Sequence, residues 1–226
     1  MNTLSIIVPV YNEACMLPQA IQHLQNWDNK TGCEVIIVDG GSSDGSIEIL
    51  RKSGIQTVYS CKGRALQMNT GAAVAKGDVL LFLHIDTQLP DDADQLIADH
   101  AQNPVFAWGR FDVRIDSRHW LLALVSDMIN WRSRLSGITT GDQAIFIRAD
   151  IFRQIGGYTE QPLMEDIDIS RRLLELSDPV CLKQKVITSA RRWQKHGIVC
   201  TILLMWRLRY LYWRGVPATD LAREYS

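Results

Sequence analysis

The apolar positions of the first half of the chain follow two alternating patterns. Short β-branched and aliphatic runs are typical of strands buried on both faces, and they lie at 4–10, 34–38, 55–59 and 79–83. Between them, apolar residues recur every three or four positions, which is the spacing of a helix that packs on a sheet. Strands that alternate with helices predict an α/β fold with a mostly parallel, twisted sheet flanked by helices.

Individual residues refine this prediction in the first half. Leu17, Ile21, Leu24 and Trp27 have helical spacing and are expected to face the sheet. Pro9 is expected to end the first strand because proline cannot donate to a central ladder.

The second half has a weaker alternation of elements. Residues 106–115 alternate apolar and polar side chains, which predicts a half-exposed strand, and a short strand is expected at 144–147. Residues 120–135 are expected to form a helix whose inward face consists of Leu121, Leu124, Val125, Met128 and Trp131.

The chain has no internal repeat, low-complexity stretch or obvious linker. We therefore predict one domain over 1–192, with halves at 1–105 and 106–192, followed by a helical extension over 193–226. The apolar run 198–206 is too short for a bilayer span, which needs about 20 residues. Its basic and aromatic continuation predicts peripheral membrane contact or a homodimer through 193–214, or else a helix docked on the domain with solvated arginines.

Composition excludes several classes of protein. The net charge of −1 gives no bias toward nucleic acid, although the segment between Cys181 and Pro217 contains no acidic residue. The five cysteines are scattered and form neither a C-x-x-C pair nor a zinc pattern, which favours reduced thiols in a cytoplasmic protein. The first residues lack the basic start and cleavage site of a signal peptide.

The residues that could carry out chemistry lie at the ends of the predicted strands and at the starts of helices. Asp86 follows the buried run 79–83, and the carboxyl edge of an open α/β sheet is where ligands bind. Asp86 could equally cap the next helix, and Glu165 and Asp166 have the same helix-start interpretation. Each motif is weak alone, but their order is specific: 9–13, Asp39, Arg64, Asp86, then Glu165 and Asp166.

In that order the sequence resembles the family 2 glycosyltransferases of the GT-A fold. The motifs that carry the resemblance are SIIVPVYNE (5–13), VIIVDGGSSDGS (35–46), GRALQMNTGAAVAKGDVLLFLHIDT (63–87) and GDQAIFIR (141–148). The last two resemble a small bacterial branch associated with arsenosugar biosynthesis. The resemblance implies a Rossmann-like nucleotide-sugar-binding half at 1–105 and an acceptor-binding half at 106–192.

The resemblance also implies roles for individual residues. The donor would be a nucleotide-diphosphate sugar, usually UDP-linked, and Asp86 would ligate Mg²⁺ or Mn²⁺ bridging its diphosphate. Asp166 would be the general base that deprotonates an acceptor hydroxyl in an inverting transfer, with Glu165 as its orienting partner. The nucleotide-sugar contacts would be Pro9, Tyr11, Glu13, Asp39 and Arg64, and the sugar or acceptor contacts Asp142, Gln143, Arg192 and Trp193.

Two departures from the family pattern limit these expectations. The metal motif D-x-D reads His84-Ile85-Asp86 here, and a neutral imidazole suits Mn²⁺ better than Mg²⁺. The processive motif Q-x-x-R-W is matched only in Arg192 and Trp193, which favours transfer of a single sugar.

Three alternatives remain open from the sequence. A sugar-nucleotide nucleotidyltransferase would need a basic, glycine-rich loop directly after the first strand, where this chain has Tyr11-Asn12-Glu13. A non-catalytic nucleotide-sugar-binding scaffold would explain His84 but not the Glu165-Asp166 pair. A dinucleotide oxidoreductase lacks its G-x-G-x-x-G fingerprint. The identities of the sugar and the acceptor are not predicted.

Overall fold

A computed structural model describes residues 3–225, apart from the side chain of His196. Within that range the strands are β1 (Leu4–Val10), β2 (Cys33–Asp39), β3 (Gln56–Tyr59), β4 (Val79–Phe82), β5 (Thr87–Gln88), β6 (Trp108–Asp116), β7 (Phe146–Arg148) and β8 (Val180–Ser189). The helices are α1 (Leu17–Asp28), α2 (Ser46–Ser53), α3 (Arg64–Val74), α4 (Ala93–Ala101), α5 (Trp120–Ser136), α6 (Ala149–Gln154), α7 (Glu165–Leu174), α8 (Arg191–His196), α9 (Ile198–Trp213) and α10 (Ala218–Tyr225). A 3₁₀ turn spans Gly141–Gln143.

The strands form one mixed sheet in the order β3-β2-β1-β4-β7-β6-β8-β5. The pairs β1–β2, β1–β4, β2–β3 and β6–β8 are parallel, whereas β4–β7, β5–β8 and β6–β7 are antiparallel. The α/β prediction is therefore confirmed, and the purely parallel part is the first half, where each strand is followed by a crossover helix. The short β7 reverses direction, so β4 has a parallel neighbour on one side and an antiparallel neighbour on the other.

Both faces of the sheet are buried. Alternate residues of β1 point to opposite sides, so Ile6 and Val8 lie in the core under α1, whereas Ile7 packs with α3. The predicted inward face of α1 is confirmed, since Leu17, Ile21, Leu24 and Trp27 are all buried.

Pro9 does not end its strand. β1 continues to Val10, and Pro9 pairs in register with Val38 of β2. The Ile7 carbonyl accepts from Leu83 on the β4 side, and the backbone of Pro9 faces the same side, beyond the last β4 residue paired with β1. Pro9 thus lies beyond the paired part of β1 and β4, and its missing N–H interrupts none of the paired positions.

The prediction that 106–115 is half-exposed was wrong for most of β6. Its first six residues are buried, including Arg110, which is fully inaccessible. The Arg110 guanidinium pairs with the Asp112 carboxylate, and Asp112 also accepts from Arg134 at 2.8 Å. Polar alternation here marks a buried ion pair and not a solvent-facing edge.

The prediction for the inward face of α5 was also wrong. Of the five residues expected to face inward only Val125 is buried, and the helix packs instead through Leu122, Val125, Ser126, Asn130 and Ser133. Trp120, Leu124, Met128, Trp131 and Leu135 form an outward stripe with 45–70% of their surface exposed.

The helix α9 is apolar almost all round, yet within it only Thr201 and Leu208 are buried. Its outward residues Val199, Leu203, Trp206, Tyr210 and Trp213 are 55–68% exposed. We call these residues and the α5 stripe together the apolar face. None of the helices in 3–225 combines the length and hydropathy needed to cross a bilayer.

The buried pair in β6 gives a stability prediction. Asp112→Asn should lower the free energy of unfolding by about 3 kcal/mol, because it leaves the Arg110 guanidinium buried without its carboxylate. Asp150→Asn is the matched control, since the Arg148–Asp150 pair is exposed and should contribute less than about 1 kcal/mol. Guanidinium unfolding of both variants is the measurement, and equal costs would contradict the assigned role of Asp112.

Candidate functional site

A cavity of about 860 Å³ opens at the carboxyl ends of β1 and β4, a volume typical of small-molecule sites. We call it the larger cavity. It collects side chains that are far apart in sequence but share one sheet edge, as the predicted topology requires. The sequence-predicted residues that line it are Pro9, Tyr11, Glu13, Arg64, His84, Asp86, Asp142, Arg192 and Trp193.

A second cavity of about 80 Å³, the smaller cavity, shares Arg64, His84 and Asp142 with the larger one. Glu165 and Asp166 at the start of α7 line it from one side, where the sequence predicted the catalytic pair. The predicted donor-side and base-side residues therefore lie in two adjoining cavities that meet at His84 and Asp142.

Gly141 links these cavities through a close backbone contact. Its amide donates to Asp166 Oδ2 at 3.1 Å, while its Cα lies against the imidazole of His84. A methyl group on Gly141 would overlap His84 Nε2 and lie 2.7 Å from Cε1, so a side chain does not fit there. His84, the 141–143 turn and α7 are thus packed as one unit.

The imidazole of His84 contacts both Asp142 and Gly141 in this unit. Its Nδ1 lies 3.1 Å from Asp142 Oδ1, and its Nε2 faces the Gly141 backbone. Burial raises the pKa of the Asp142 carboxyl, but the hydrogen bond and charge of His84, with Arg64 and Arg192, outweigh burial and lower that pKa overall. The imidazole therefore orients Asp142 through its Nδ1.

Glu165 and Asp166 have different environments. Glu165 is buried, and desolvation together with the Asp166 charge raises its pKa, although Arg64 lies 3.8 Å away and opposes the shift. The Asp166 carboxylate is more accessible, and it accepts from the backbone amides of Ile167 and Gly141 at 2.8 and 3.1 Å. Asp166 is therefore the carboxylate that can meet a substrate in the smaller cavity.

Backbone strain is concentrated around the cavities. The non-glycine residues with positive φ in 3–225 are Asn12, Ala144 and Met164, with φ of 53°, 47° and 66°. Asn12 lies in the loop after β1, Ala144 follows the 141–143 turn, and Met164 directly precedes Glu165. Such conformations cost about 1–3 kcal/mol each and are typical of functional sites.

Asp86 lies at the floor of the larger cavity. Desolvation is the main cause that raises the pKa of its carboxyl, and the charge of Asp142 adds to the increase, whereas His84 and Arg191 oppose it. A half-buried carboxylate with so little compensation would be stabilised by a cation.

The donor set nevertheless limits the kind of metal site. Among the described residues, no group of three or more His, Cys, Asp or Glu side chains could hold a metal ion alone. Mg²⁺ and Mn²⁺ bound through one or two carboxylates plus substrate phosphates and water do not need such a group. The residues present thus fit a cation that Asp86 would hold together with a phosphorylated substrate, and a ligand role for His84 stays a prediction.

Cationic side chains surround the mouth of the larger cavity. Arg191 forms a two-pronged pair with Glu13, with both nitrogen–oxygen distances at 3.0 Å. Lys62 Nζ lies 4.4 Å from the centroid of the Tyr11 ring, and Arg192 stacks on Tyr225 at 3.8 Å. Glu13 is therefore engaged by Arg191, while Tyr11 presents a partly exposed ring beside a cation.

Two sequence-predicted residues do not reach either cavity. Asp39 is fully buried and accepts from Gly41, Ser42 and the Ser42 hydroxyl, at 2.5–2.9 Å, so it shapes the loop after β2. Gln143 is fully buried; its Oε1 accepts from the Thr140 amide, and its Nε2 donates to the Ser133 hydroxyl on α5. Both side chains hold loops beside the cavities through hydrogen bonds, and we do not assign them to ligand contact.

Several residues that line the two cavities were not predicted as site residues from the sequence: Lys62, Gln67, Arg191, Arg209 and Tyr225. Gln67 donates from Nε2 to the carbonyls of Val10 and Val38, at 2.7 and 2.8 Å, and so ties β1 to β2. The signal for the arginines was the absence of acidic residues between Cys181 and Pro217, which indicated a local positive charge without giving its position.

A protein-family model described as Glycosyl transferase family 2 matches residues 5–155, which is most of the chain. An uncharacterized glycosyltransferase of Haemophilus influenzae is 30% identical over 183 residues, covering 76% of this chain and 62% of its own length. An undecaprenyl-phosphate 4-deoxy-4-formamido-L-arabinose transferase of Aeromonas hydrophila is 28% identical, covering 64% of this chain and 48% of its own length. The chain thus spans about half the length of such relatives.

Solved structures of low sequence identity share the fold. A mannosyltransferase of Pyrobaculum calidifontis, in complex with GDP-Man and Mn²⁺, superposes with a TM-score of 0.66 at 18% identity, covering 92% of this chain and 61% of that one. Residues 1–349 of Staphylococcus aureus TarS, in complex with UDP-GlcNAc, superpose with a TM-score of 0.65 at 17% identity, covering 83% and 58%. These similarities show the GT-A fold.

The packing of Gly141 on His84 gives a testable prediction. Gly141→Ala should lower the free energy of unfolding by about 1–3 kcal/mol through the overlap with the imidazole. In a His84→Ala background the same substitution should cost far less, because the nearest atoms that the methyl meets all belong to His84. Urea unfolding of the four proteins measures this coupling, and an equal cost in both backgrounds would refute the contact.

Proposed function

Since the chain belongs to glycosyl transferase family 2, we propose that it transfers one sugar from a nucleotide-diphosphate sugar to an acceptor hydroxyl, with inversion at the anomeric carbon. The observation that supports this most strongly is the pair of adjoining cavities. One holds the strand-edge carboxylate and a ring of cations, and the other holds Asp166. A donor and an acceptor could meet where the cavities join.

The donor is proposed to lie in the larger cavity. The base would lie against the Tyr11 ring, and Arg64, Arg191 and Arg192 would face the diphosphate, which needs positive charge. UDP-linked donors are our first choice, because among the structural neighbours both TarS and the glucosyl-3-phosphoglycerate synthase of Mycobacterium tuberculosis were solved with UDP or a UDP-sugar. The GDP-Man complex of the Pyrobaculum mannosyltransferase makes guanosine donors the next choice.

Asp166 is the proposed general base. Its two backbone hydrogen bonds, from the amides of Gly141 and Ile167, fix its orientation. It would take the proton of the acceptor hydroxyl as that oxygen attacks the anomeric carbon. Glu165 is buried behind it and contacts Arg64, so its proposed role is to position that arginine.

A divalent cation, Mg²⁺ or Mn²⁺, would be held by Asp86 with the donor diphosphate, where it would neutralise the charge of the departing nucleotide. Mn²⁺ accompanies nucleotide ligands in two structural neighbours, which supports this proposal. His84 is proposed to orient Asp142, which would meet a sugar or acceptor hydroxyl, and Trp193 would bound the larger cavity.

The alternatives have less support. A nucleotidyltransferase would need a basic, glycine-rich loop after β1, whereas this loop presents Glu13 to Arg191. A non-catalytic scaffold would not need the accessible carboxylate of Asp166. The cytoplasmic location, the absence of a nucleic-acid partner and the relation to arsenosugar biosynthesis stay predictions.

Asp166→Asn should lower the rate of nucleotide-sugar turnover by about 10²- to 10⁴-fold, since the amide cannot accept the proton. Nucleotide release from a UDP-sugar panel, followed as hydrolysis when no acceptor is known, measures the rate. Asp168→Asn is the matched control on the same helix, because Asp168 pairs with Arg172 and Thr159 away from the cavities. Full activity in Asp166→Asn would exclude it as the base.

The metal proposal is tested by calorimetry of UDP binding. Chelation with EDTA should weaken binding to the wild type, and Mn²⁺ should restore it, because Asp86 would hold the cation together with the diphosphate. In Asp86→Asn, EDTA should change the affinity little. Equal affinities with and without EDTA in the wild type would remove the cation from donor binding.

A further inference from the structure

Two half-buried arginines, Arg132 on α5 and Arg209 on α9, have no anionic partner among the described residues, and Arg209 lines the smaller cavity. No hydrogen bond or ion pair is found for the guanidinium of Arg132 or Arg209 among the described residues, and Nε of both and Nη2 of Arg132 are buried without a partner. Desolvating a guanidinium without a counterion costs free energy, and an anionic group of a bound ligand would offset that cost.

Helical periodicity places both arginines between α5 and α9. Val125 and Ile202 pack together with Ile129 and Trp193 where these helices meet. Arg132 follows Val125 by seven residues, and Arg209 follows Ile202 by seven, so each arginine lies on the same helix face as the packing residue. Ile138, just after α5, packs with Leu204 and Leu208, so the two helices run in the same direction. The two guanidinium groups therefore lie on the same side, and Arg209 lines the smaller cavity.

Electrostatics agrees with this placement. Burial and, to a smaller extent, the charge of Arg209 together lower the pKa of Arg132 to about 10, although the charge of Asp166 opposes the shift. Burial also lowers the pKa of Arg209, against the charges of Asp166 and Asp142. The positive charge is thus close to Asp166 but not neutralised by it.

We propose that Arg132 and Arg209 bind a phosphate group of the acceptor, next to the hydroxyl presented to Asp166. This inference rests on the proposed function and adds the acceptor class, a phosphorylated alcohol. The donor diphosphate has its own cations in the larger cavity, namely Lys62, Arg64, Arg191 and Arg192.

The phosphate could belong to a soluble molecule or to a lipid headgroup, and the apolar face favours the lipid. The outer sides of α5 and α9, the helices that carry the two arginines, expose four tryptophans and a tyrosine at helical spacing. Aromatic side chains of this kind, near basic residues, are typical of helices lying at a bilayer surface. This face includes part of 193–214, where the sequence predicted membrane contact or a homodimer.

Binding of glycerol 3-phosphate in the presence of saturating UDP tests the phosphate subsite, because UDP occupies the donor cations. Calorimetry should show binding to the wild type and an affinity loss of roughly tenfold or more in the Arg132→Gln/Arg209→Gln variant. Arg207→Gln is the matched control, since Arg207 on the same helix is exposed and pairs with Glu224. Asp166→Asn should bind at least as tightly as the wild type, because it removes a nearby negative charge.

Flotation with phosphatidylglycerol and phosphatidylcholine vesicles distinguishes a lipid headgroup from a soluble molecule as the source of the phosphate. Stronger binding to phosphatidylglycerol that is lost in the double glutamine variant supports a lipid headgroup, while binding of glycerol 3-phosphate alone supports a soluble acceptor. If neither probe binds the wild type better than the double variant, the proposal is overturned. These readouts need no turnover, and UDP binding measured separately shows whether the donor site itself has failed.

Discussion

The hydrogen bond from the Gly141 amide to Asp166 is the contact on which the site depends. It joins the turn after α5 to the start of α7, and the missing side chain of Gly141 lets the His84 ring pack directly on the backbone. His84 in turn holds Asp142 at the junction of the two cavities. The carboxylates that the sequence separates by tens of residues are brought together by close packing that only glycine permits.

The C-terminal helices belong to the site and are not an appendage. Arg191 and Arg192 open α8, Arg209 comes from α9 and Tyr225 from α10, and each lines one of the cavities. A net charge of −1 for the whole chain conceals this local concentration of arginine. The 192/193 boundary expected from sequence therefore separates residues that line the same cavity.

The sequence predicted that the residues that follow the strands of the first half would lie near one another. Parallel strands joined by crossover helices place their carboxyl ends at the same edge of the sheet. What the sequence could not reveal was which neighbours cover each face. The α5 pattern identified an amphipathic helix correctly, but periodicity does not distinguish an apolar face covered by the domain from one left open. Likewise, charged residues at alternate positions suggested that Arg110 and Asp112 are exposed, but the two side chains pair with each other in the interior. Gln143 was predicted to bind a ligand, but its side chain accepts a hydrogen bond from the backbone of its own turn.

The central claim is that the two cavities divide donor from acceptor. A crystal structure with UDP and Mn²⁺ tests it most directly. We expect the uracil to lie against Tyr11 and the diphosphate near Asp86 and Arg64, with Asp166 and the smaller cavity left free for the acceptor. A nucleotide bound in the smaller cavity against Asp166, or away from the carboxyl edge of the sheet, would contradict it.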